Sequence, residues 1–300
     1  MPALAFADLA VRSNFSLLDG ASHPAELVST AAAFGYAGLG ICDTNSLAGV
    51  VQGHVAAKEV GVPFAVGARL LLDDGAEYLA WPTDRASYGR LTRLLSLGRM
   101  RAPKGECRIT RDDLVSMAEG WALAIVPPAR PAATFAERLR EDAAALSQRL
   151  ALPLHCAVAC LLTGDDQDRL DRIADMAQAA GAVMLATNDA RYHHASRRRL
   201  ADVLTAIRLR TTVPELGCVA EANAERRLHP LTWMSSQFER YPDALGASLR
   251  ILDATTRRRC WNPAGRPSRP WRHGSPKRLQ SGGRVDRART SPGAWTMSCG

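Results

Sequence analysis

The chain has 300 residues, of which 47% are hydrophobic and 6% aromatic, and its formal net charge is +8. This is enough apolar material for one large domain or two small ones, and it excludes a disordered protein and a disulfide-stapled miniature. No apolar run approaches the ~18 residues of a membrane span, and the first residues lack a secretory signal pattern. The seven cysteines include no C-x-x-C pair. We therefore expect a cytoplasmic protein with free thiols and no membrane contact.

The positive charge is concentrated at one end of the sequence. Residues 255–300 hold 11 Lys and Arg and one acid, whereas residues 1–254 hold 27 bases and 29 acids. The end segment is rich in Arg, Gly, Pro, Ser and Trp and shows neither helical nor strand periodicity. Two interpretations remain open. It is either a basic arm for nucleic acid or a frameshifted end of a GC-rich coding sequence, which the 35 Arg against 3 Lys favour.

In chain order, short apolar runs alternate with helical patterns. Ser22 can cap a first helix that contains Pro24 and ends at Gly35, and a strand follows up to Asp43. Further helices are predicted at 47–60, 85–97, after 110, 132–150, 165–180 and 196–209, and further strands at 64–72, 77–81, 122–126, 154–162 and 182–187. Apolar strands separated by helices predict an α/β fold with a mainly parallel sheet covered on both faces. Six or seven such units favour a closed or nearly closed β/α barrel, with a doubly wound open sheet as the alternative.

Three polar clusters fall at the ends of predicted strands. They are residues 8–14, 42–45 and 187–194. Because chemistry collects at the carboxyl ends of strands in such folds, these clusters are candidates for a functional site.

The same clusters carry a family resemblance. The segments RSNFSLLDGASHPAELV at 12–28, ICDTNSLAGVV at 41–51 with VGARL at 66–70, and LATNDARYH at 185–193 resemble the N-terminal polymerase-and-histidinol-phosphatase (PHP) domain of bacterial DNA polymerase III alpha subunits, the C family. The Asn-Phe-Ser and Asn-Ser-Leu-Ala-Gly variants resemble its error-prone, damage-induced members. Residues 228–252 are similar to the helical segment that follows the domain in that family. The resemblance covers roughly residues 5–254 and ends where the composition changes.

The resemblance implies an organisation in three parts. Residues 1–212 would form a PHP-type distorted β/α barrel of mainly parallel strands, 213–254 a helical segment leading into polymerase domains, and 255–300 a basic, disordered or frameshifted tail. We expect the helical segment at 228–254 to be loosely packed. We also expect the protein to be poorly soluble, because the apolar faces of helices 232–240 and 243–253 would normally contact later domains. The aspartates of the polymerase palm, with their Mg²⁺, would also lie in those later domains.

The resemblance also identifies the positions at which active PHP domains hold metal ions. Ligand positions are occupied here by residues that cannot serve, namely Ala10, Arg12, Thr44, Arg69 and Arg191. Ala has no donor atom, and Arg brings a permanent positive charge into the place of a cation. We therefore expect no catalytic residue and a site held by Arg–Asp ion pairs.

A few possible ligands remain at or near these positions. Asp8, Asp43 and Asp189 keep carboxylates, and His193 lies close to the last of them in sequence. We expect these four residues to be weak residual candidates and the chain to hold no metal or other cofactor.

Three functions follow from these interpretations. The preferred one is the N-terminal PHP portion of an error-prone DNA polymerase, inactive alone, whose full-length relatives would meet DNA and other replication or mutagenesis proteins. The alternative is a stand-alone PHP metal-dependent phosphoesterase. A third is a nucleic-acid-binding module that acts through the basic tail.

Overall fold

The computed structural model describes residues 5–257. One sheet of seven strands, which lie side by side in chain order, forms its centre. The strands are β1 (Ala7–Val11), β2 (Gly38–Thr44), β3 (Phe64–Leu71), β4 (Glu77–Pro82), β5 (Trp121–Val126), β6 (His155–Val158) and β7 (Val183–Ala186). Neighbouring strands are parallel, except that β4 runs antiparallel to both β3 and β5. The turn between β3 and β4 uses Gly75 at φ +85°, a conformation that glycine adopts without a steric penalty.

The helices follow the predicted alternation. They are α1 (Pro24–Ala33), α2 (Val50–Val60), α3 (Arg85–Met100), α4 (Arg111–Met117), α5 (Ala133–Leu146), α6 (Asp166–Ala180), α7 (Arg198–Leu209), α8 (Leu231–Gln237) and α9 (Pro242–Arg257). Two 3₁₀ segments, Ala195–Arg197 and Val213–Val219, flank α7. None of the helices in the described part of the chain has the length and apolar content needed to cross a membrane.

The sheet curls so that its first and last strands meet at their carboxyl ends. Asp8 of β1 accepts a 2.9 Å hydrogen bond from Thr187, immediately after β7, and Arg12 N donates to Ala190 O at 2.9 Å. Within residues 5–257, no strand ladder joins β1 to β7. The predicted α/β fold of mainly parallel strands is therefore confirmed as a curled, partly closed barrel. The sequential strand order excludes the doubly wound alternative, in which the order reverses part-way across the sheet.

The inner face of the curl is lined mostly by small side chains. A methyl group on Gly67 would lie 2.5 Å from Cys42 Sγ and 2.6 Å from the Trp81 ring, so only glycine fits there. Trp81 is fully buried and donates from its indole nitrogen to Leu9 O at 3.0 Å. One large aromatic ring thus fills space that the alanine and glycine positions of neighbouring strands leave open.

The last helix, α9, packs against this inner face. Ala247, Ile251 and Leu252 belong to the inner apolar cluster, and α9 contacts β1, β3, β4 and β7. Ser248 Oγ accepts a 3.1 Å hydrogen bond from Ala7 N at the start of β1. The expected loose packing of residues 228–254 is therefore wrong. The small side chains of the sheet leave room that α9 occupies, and Met234 and Phe238, in and just after α8, are fully buried in the main apolar core. The low solubility expected from the sequence stays a prediction.

Local corrections concern the ends of elements. Ser22 does not cap α1; His23 is the N-cap residue, and its backbone N–H donates to Glu26 at 2.8 Å. The helix predicted at 132–150 ends at Leu146, and the strand predicted at 154–162 covers only His155–Val158. Helix α9 continues to Arg257, three residues into the predicted tail. The rest of that tail lies outside the described residues.

Candidate functional site

The curl brings the three polar clusters together at the carboxyl ends of β1, β2 and β7. Ser13, two residues after β1, donates to Asp43 of β2 through its backbone N–H at 2.8 Å. Arg12, also after β1, donates to Asp189 beyond β7 at 2.9 Å. Long-range hydrogen bonds thus join segments that are 30 and 177 residues apart in sequence. The sequence prediction that these clusters share one edge of the sheet is confirmed.

Asp189 lies at the centre of this edge, enclosed by three guanidinium groups. Arg12 Nη2 donates to Asp189 Oδ1 at 2.9 Å, and Arg69 and Arg226 donate to the same carboxylate. Burial by itself would raise the pKa of Asp189, but the three positive charges outweigh it and hold that pKa well below its usual range. Asp189 is therefore ionised at neutral pH, and its negative charge is shared among three arginines.

Further carboxylates complete the pairing of these arginines. Asp19 accepts a 2.9 Å hydrogen bond from Arg12 Nη1 and lies 3.4 Å from Arg191 Nε. Although burial opposes it, the charges of Arg12 and Arg191 lower the pKa of Asp19. Arg208, which is 42% exposed, also lies 3.5 Å from Asp19. The four less exposed arginines and the acids they pair with are called the arginine–carboxylate network, namely Arg12, Arg69, Arg191, Arg226, Asp19, Glu77, Asp189 and Glu221.

The outer acids of the network orient its arginines. Arg69 Nη1 lies 2.6 Å from Glu77 on the neighbouring strand β4. Glu221 lies 2.7 Å from Arg191 Nη1 and 2.9 Å from Arg226 Nε. Burial, reinforced by the charge of Arg12, lowers the pKa of Arg191 to about 10, which still leaves it charged at neutral pH.

Asp8 takes no part in that network. Its two oxygens accept four hydrogen bonds, from Ala10 N at 3.2 Å, Thr187 Oγ1 at 2.9 Å, and Asn188 N and Nδ2 at 3.1 and 2.8 Å. Asn188 also donates to Tyr36 Oη at 2.9 Å, and Tyr36 donates to His229 O at 2.6 Å. Burial raises the pKa of Asp8 despite these donors. Asp8 therefore links β1 to the end of β7 as a buried acceptor.

Asp43 organises the loop that follows β1. It accepts from Ser13 N and Oγ and from Ser16 Oγ, all at 2.8 to 3.0 Å. Thr44 contributes its backbone N–H, which donates to Ser16 Oγ at 3.0 Å. Burial raises the pKa of Asp43, although the serine hydrogen bonds oppose the shift. The oxygens of Asp43 thus stabilise the loop at residues 13–16 by accepting its hydrogen bonds.

His193 contacts residues at the start of α1. Its Nδ1 lies 2.8 Å from Ser22 Oγ and 3.9 Å from Glu26 of α1. Ser22 Oγ also accepts a hydrogen bond from His193 N at 3.0 Å. Partial burial lowers the pKa of His193. The imidazole therefore connects the start of α1 to the segment after β7.

The side chains present do not fit a cluster of divalent cations. In the described part of the chain, no three His, Cys, Asp or Glu side chains are placed to hold a metal ion. The oxygens of Asp8 and Asp43 already accept from several donors, and those of Asp189 face guanidinium groups. Two of these groups belong to Arg12 and Arg69, at the positions where the family resemblance places ligands. A cation beside Asp189 would face like charge, because guanidinium groups already lie at hydrogen-bonding distance from that carboxylate.

Sequence reasoning anticipated the Arg–Asp pairing but missed half of its members. Asp19, Glu77, Glu221 and Arg226 lie outside the strand-end clusters, in loops and on the antiparallel strand. One signal could have indicated them, because several buried guanidinium groups require more carboxylates than Asp189 supplies. The pattern alone cannot say which of the remaining acids meet that need.

Comparison with known proteins agrees with these observations. A family model described as the PHP domain matches residues 8–155. The chain is 41% identical over 258 residues to an error-prone DNA polymerase of Rhodopseudomonas palustris, covering 82% of this chain and 22% of that protein. It is 43% identical over 255 residues to the error-prone DNA polymerase of Brucella abortus, covering 83% and 23%. The chain thus spans less than a quarter of the length of these curated relatives.

Solved structures give a weaker likeness. An amidohydrolase from Chromobacterium violaceum superposes with a TM-score of 0.47 at 19% identity, covering 60% of this chain and 86% of that one.

Proposed function

Because the chain belongs to the error-prone DNA polymerase family, in which it corresponds to the N-terminal PHP region, we propose that it serves as a non-hydrolytic scaffold for a polymerase. In this role the curled sheet supplies a rigid body, and the arginine–carboxylate network replaces the metal cluster that would otherwise tie the strand ends together. The segment at 213–254 would lead into the polymerase domains.

One observation carries this proposal. Three guanidinium groups surround Asp189, and two of them, from Arg12 and Arg69, are themselves buried. A hydrolytic site needs cations that lower the pKa of an attacking water. Ion pairs between arginine and aspartate supply cohesion in the same place but no activated water.

We infer the activity of the whole enzyme from the family. Full-length relatives would perform DNA-directed nucleotidyl transfer in damage-induced mutagenesis, translesion synthesis and DNA repair in the cytoplasm, together with other replication proteins. The Mg²⁺ ions of that reaction would bind in the palm. Primer extension by the present chain alone is therefore expected to be absent.

The first experiment compares this proposal with the phosphoesterase alternative. The purified full chain is incubated with Zn²⁺ and Mn²⁺, desalted, and measured for metal content and for hydrolysis of p-nitrophenyl phosphate. We expect substoichiometric metal and no hydrolysis. Stoichiometric metal together with hydrolysis that is lost in Asp43→Ala would overturn the proposal.

A second experiment tests the scaffold role directly. The matching region of the Brucella abortus polymerase is replaced by residues 1–257 of this chain, and primer extension by the hybrid is measured. We expect extension to be retained, and Asp189→Asn in the hybrid to make it more sensitive to heat. A well-folded hybrid without primer extension would refute the scaffold role.

A further inference from the structure

The charge of the chain is distributed unevenly within its folded part. Residues 85–108 contain seven Lys and Arg and a single acid, Glu106, whereas the rest of residues 1–254 contains 20 bases and 28 acids. The near-neutral average of the folded part therefore conceals one strongly basic segment. This segment comprises α3 and the loop that follows it.

Helix α3 turns its basic side chains to solvent. Leu91, Leu94 and Leu95 are buried and belong to the apolar core that α3 helps to cover. Arg85, Arg93 and Arg99 are exposed on the other side. At 100° and 1.5 Å per residue, they fall within an arc of about 120° and span about 21 Å along the helix axis.

The loop after α3 extends this surface. Arg101, Lys104 and Arg108 are all exposed. Six exposed residues are together called the basic strip: Arg85, Arg93, Arg99, Arg101, Lys104 and Arg108. Arg99 Nη2 donates to Asn45 O at 2.9 Å, which places this end of α3 beside the residue that follows β2.

Most of the strip lacks a carboxylate partner, in contrast to the arginine–carboxylate network. Arg101 pairs with Asp113 at 2.5 Å, and Arg108 approaches Asp73 at 3.4 Å. Across residues 5–257, no acid forms an ion pair with Arg85, Arg93, Arg99 or Lys104. The hydrogen bond from Arg99 to a neutral carbonyl leaves its charge uncompensated. Four cationic groups thus face solvent on one helix and loop, whereas the rest of residues 1–254 carries more acids than bases.

A row of unpaired cations of this length fits a linear polyanion. The phosphates of one DNA strand repeat every 3.4 Å along the helix axis, so 21 Å corresponds to roughly six phosphates. We propose that the basic strip binds the phosphodiester backbone of DNA, independently of base sequence. The inference rests on the proposed function, which places DNA beside this domain. Arginine and lysine contacts to phosphate position a protein on DNA and read no bases.

The test must separate this strip from the basic tail. Conveniently, the chain has only three lysines: Lys104 in the strip, Lys58 on α2 and Lys277 in the tail. The full chain is acetylated briefly with an N-hydroxysuccinimide ester, with and without 20-mer duplex or single-stranded DNA, and each lysine is quantified by mass spectrometry. We expect DNA to slow acetylation of Lys104 severalfold and to leave the exposed Lys58 unchanged, whatever happens at Lys277.

Two matched variants make the test quantitative. Arg85→Ala/Arg93→Ala removes two charges from the strip, and Arg130→Ala/Arg149→Ala removes two exposed charges flanking α5. Neither pair forms an ion pair in the described part of the chain. In fluorescence anisotropy, the slope of log affinity against log salt should decrease by about two in the strip variant and stay unchanged in the control.

Several outcomes would overturn the inference. Protection confined to Lys277 would mean that only the tail binds DNA, and equal slopes in the two variants would mean that position does not matter. Either result would leave the scaffold proposal intact, since metal content, hydrolysis and primer extension by the hybrid are measured independently. Protection of Lys104 by duplex but not single strands, or the reverse, would support the inference and identify the form of DNA recognised.

Discussion

The role of Asp189 can be tested by removing its charge and little else. Asp189→Asn keeps the shape of the side chain and its backbone N–H, which donates to Thr187 Oγ1 at 2.9 Å. The residue has φ +46°, a left-handed conformation that asparagine tolerates as well as aspartate does. The substitution therefore leaves Arg12, Arg69 and Arg226 facing a neutral amide.

The expected loss of stability follows from what remains buried. Arg12 and Arg69 are 5% and 3% exposed, so water cannot replace the lost carboxylate. Removing one partner from a buried ion pair costs about 3–5 kcal/mol. For a domain of this size, that loss lowers the melting temperature by roughly 6–20 °C. Replacing Arg226 by Met in the same chain should restore part of it, because one uncompensated charge is removed.

The effect also has a defined dependence on pH. The pKa of Asp189 is lower in the folded protein than in the unfolded chain, so its contribution to stability is fully present above the unfolded pKa. That contribution is lost as the pH falls towards the folded pKa. The difference in unfolding free energy between wild type and Asp189→Asn should therefore shrink by about 1.4 kcal/mol per pH unit below ~3.9.

The assay is thermal unfolding followed by circular dichroism at pH 7.5, with urea unfolding across acidic pH. The control is Glu119→Gln, because Glu119 is 69% exposed and lies 3.9 Å from Arg90; we expect no measurable change. Melting of Asp189→Asn within 2 °C of wild type would refute the argument. So would a difference from wild type that grows as the pH falls.

Three other predictions concern the interior. Gly67→Ala should lower the free energy of unfolding by about 1–3 kcal/mol in urea, because its methyl group would overlap Cys42 and Trp81; unchanged stability would contradict the tight fit. Ile251→Ala should cost about 2–5 kcal/mol in the same assay, whereas a loosely docked α9 would give almost no loss. Under native conditions, Ellman's reagent should label the exposed Cys218 quickly and the buried Cys156 only after unfolding. The reason is that burial shields Cys156 and raises its pKa to about 12. Rapid labelling of both cysteines would show that the core is open.

The strands of the sheet could be predicted from the sequence because they are short apolar runs. Stretches such as WALAIV, buried along nearly their whole length as β5, cannot be exposed and must be covered on both faces. The residues at which helices and strands begin and end could not be predicted as well. Ser22 is a good capping residue in isolation, but its hydroxyl is used by His193, which is 171 residues away. Tertiary contacts of this kind leave no local trace.

The site was predictable in kind but not in detail. Arginine in place of ligands at positions 12 and 69 implied ion pairs, since buried guanidinium groups need counter-charges. The choice of Asp19, Glu77 and Glu221 as further partners depends on the curl of the sheet. The seating of α9 was missed for a related reason. Its amphipathic pattern shows that one face is buried, but not which surface covers it.

The position of α9 has a consequence for synthesis of the chain. Ser248 accepts a hydrogen bond from Ala7 across 241 residues, so the first strand obtains a neighbour that is synthesised near the end of the described residues. A nascent chain cut off after residue 212 contains all seven strands but exposes the alanine-lined inner surface to water. Folding of residues 5–257 is therefore expected to finish only after α9 (Pro242–Arg257) has emerged. Expression fragments ending earlier should need chaperones or precipitate.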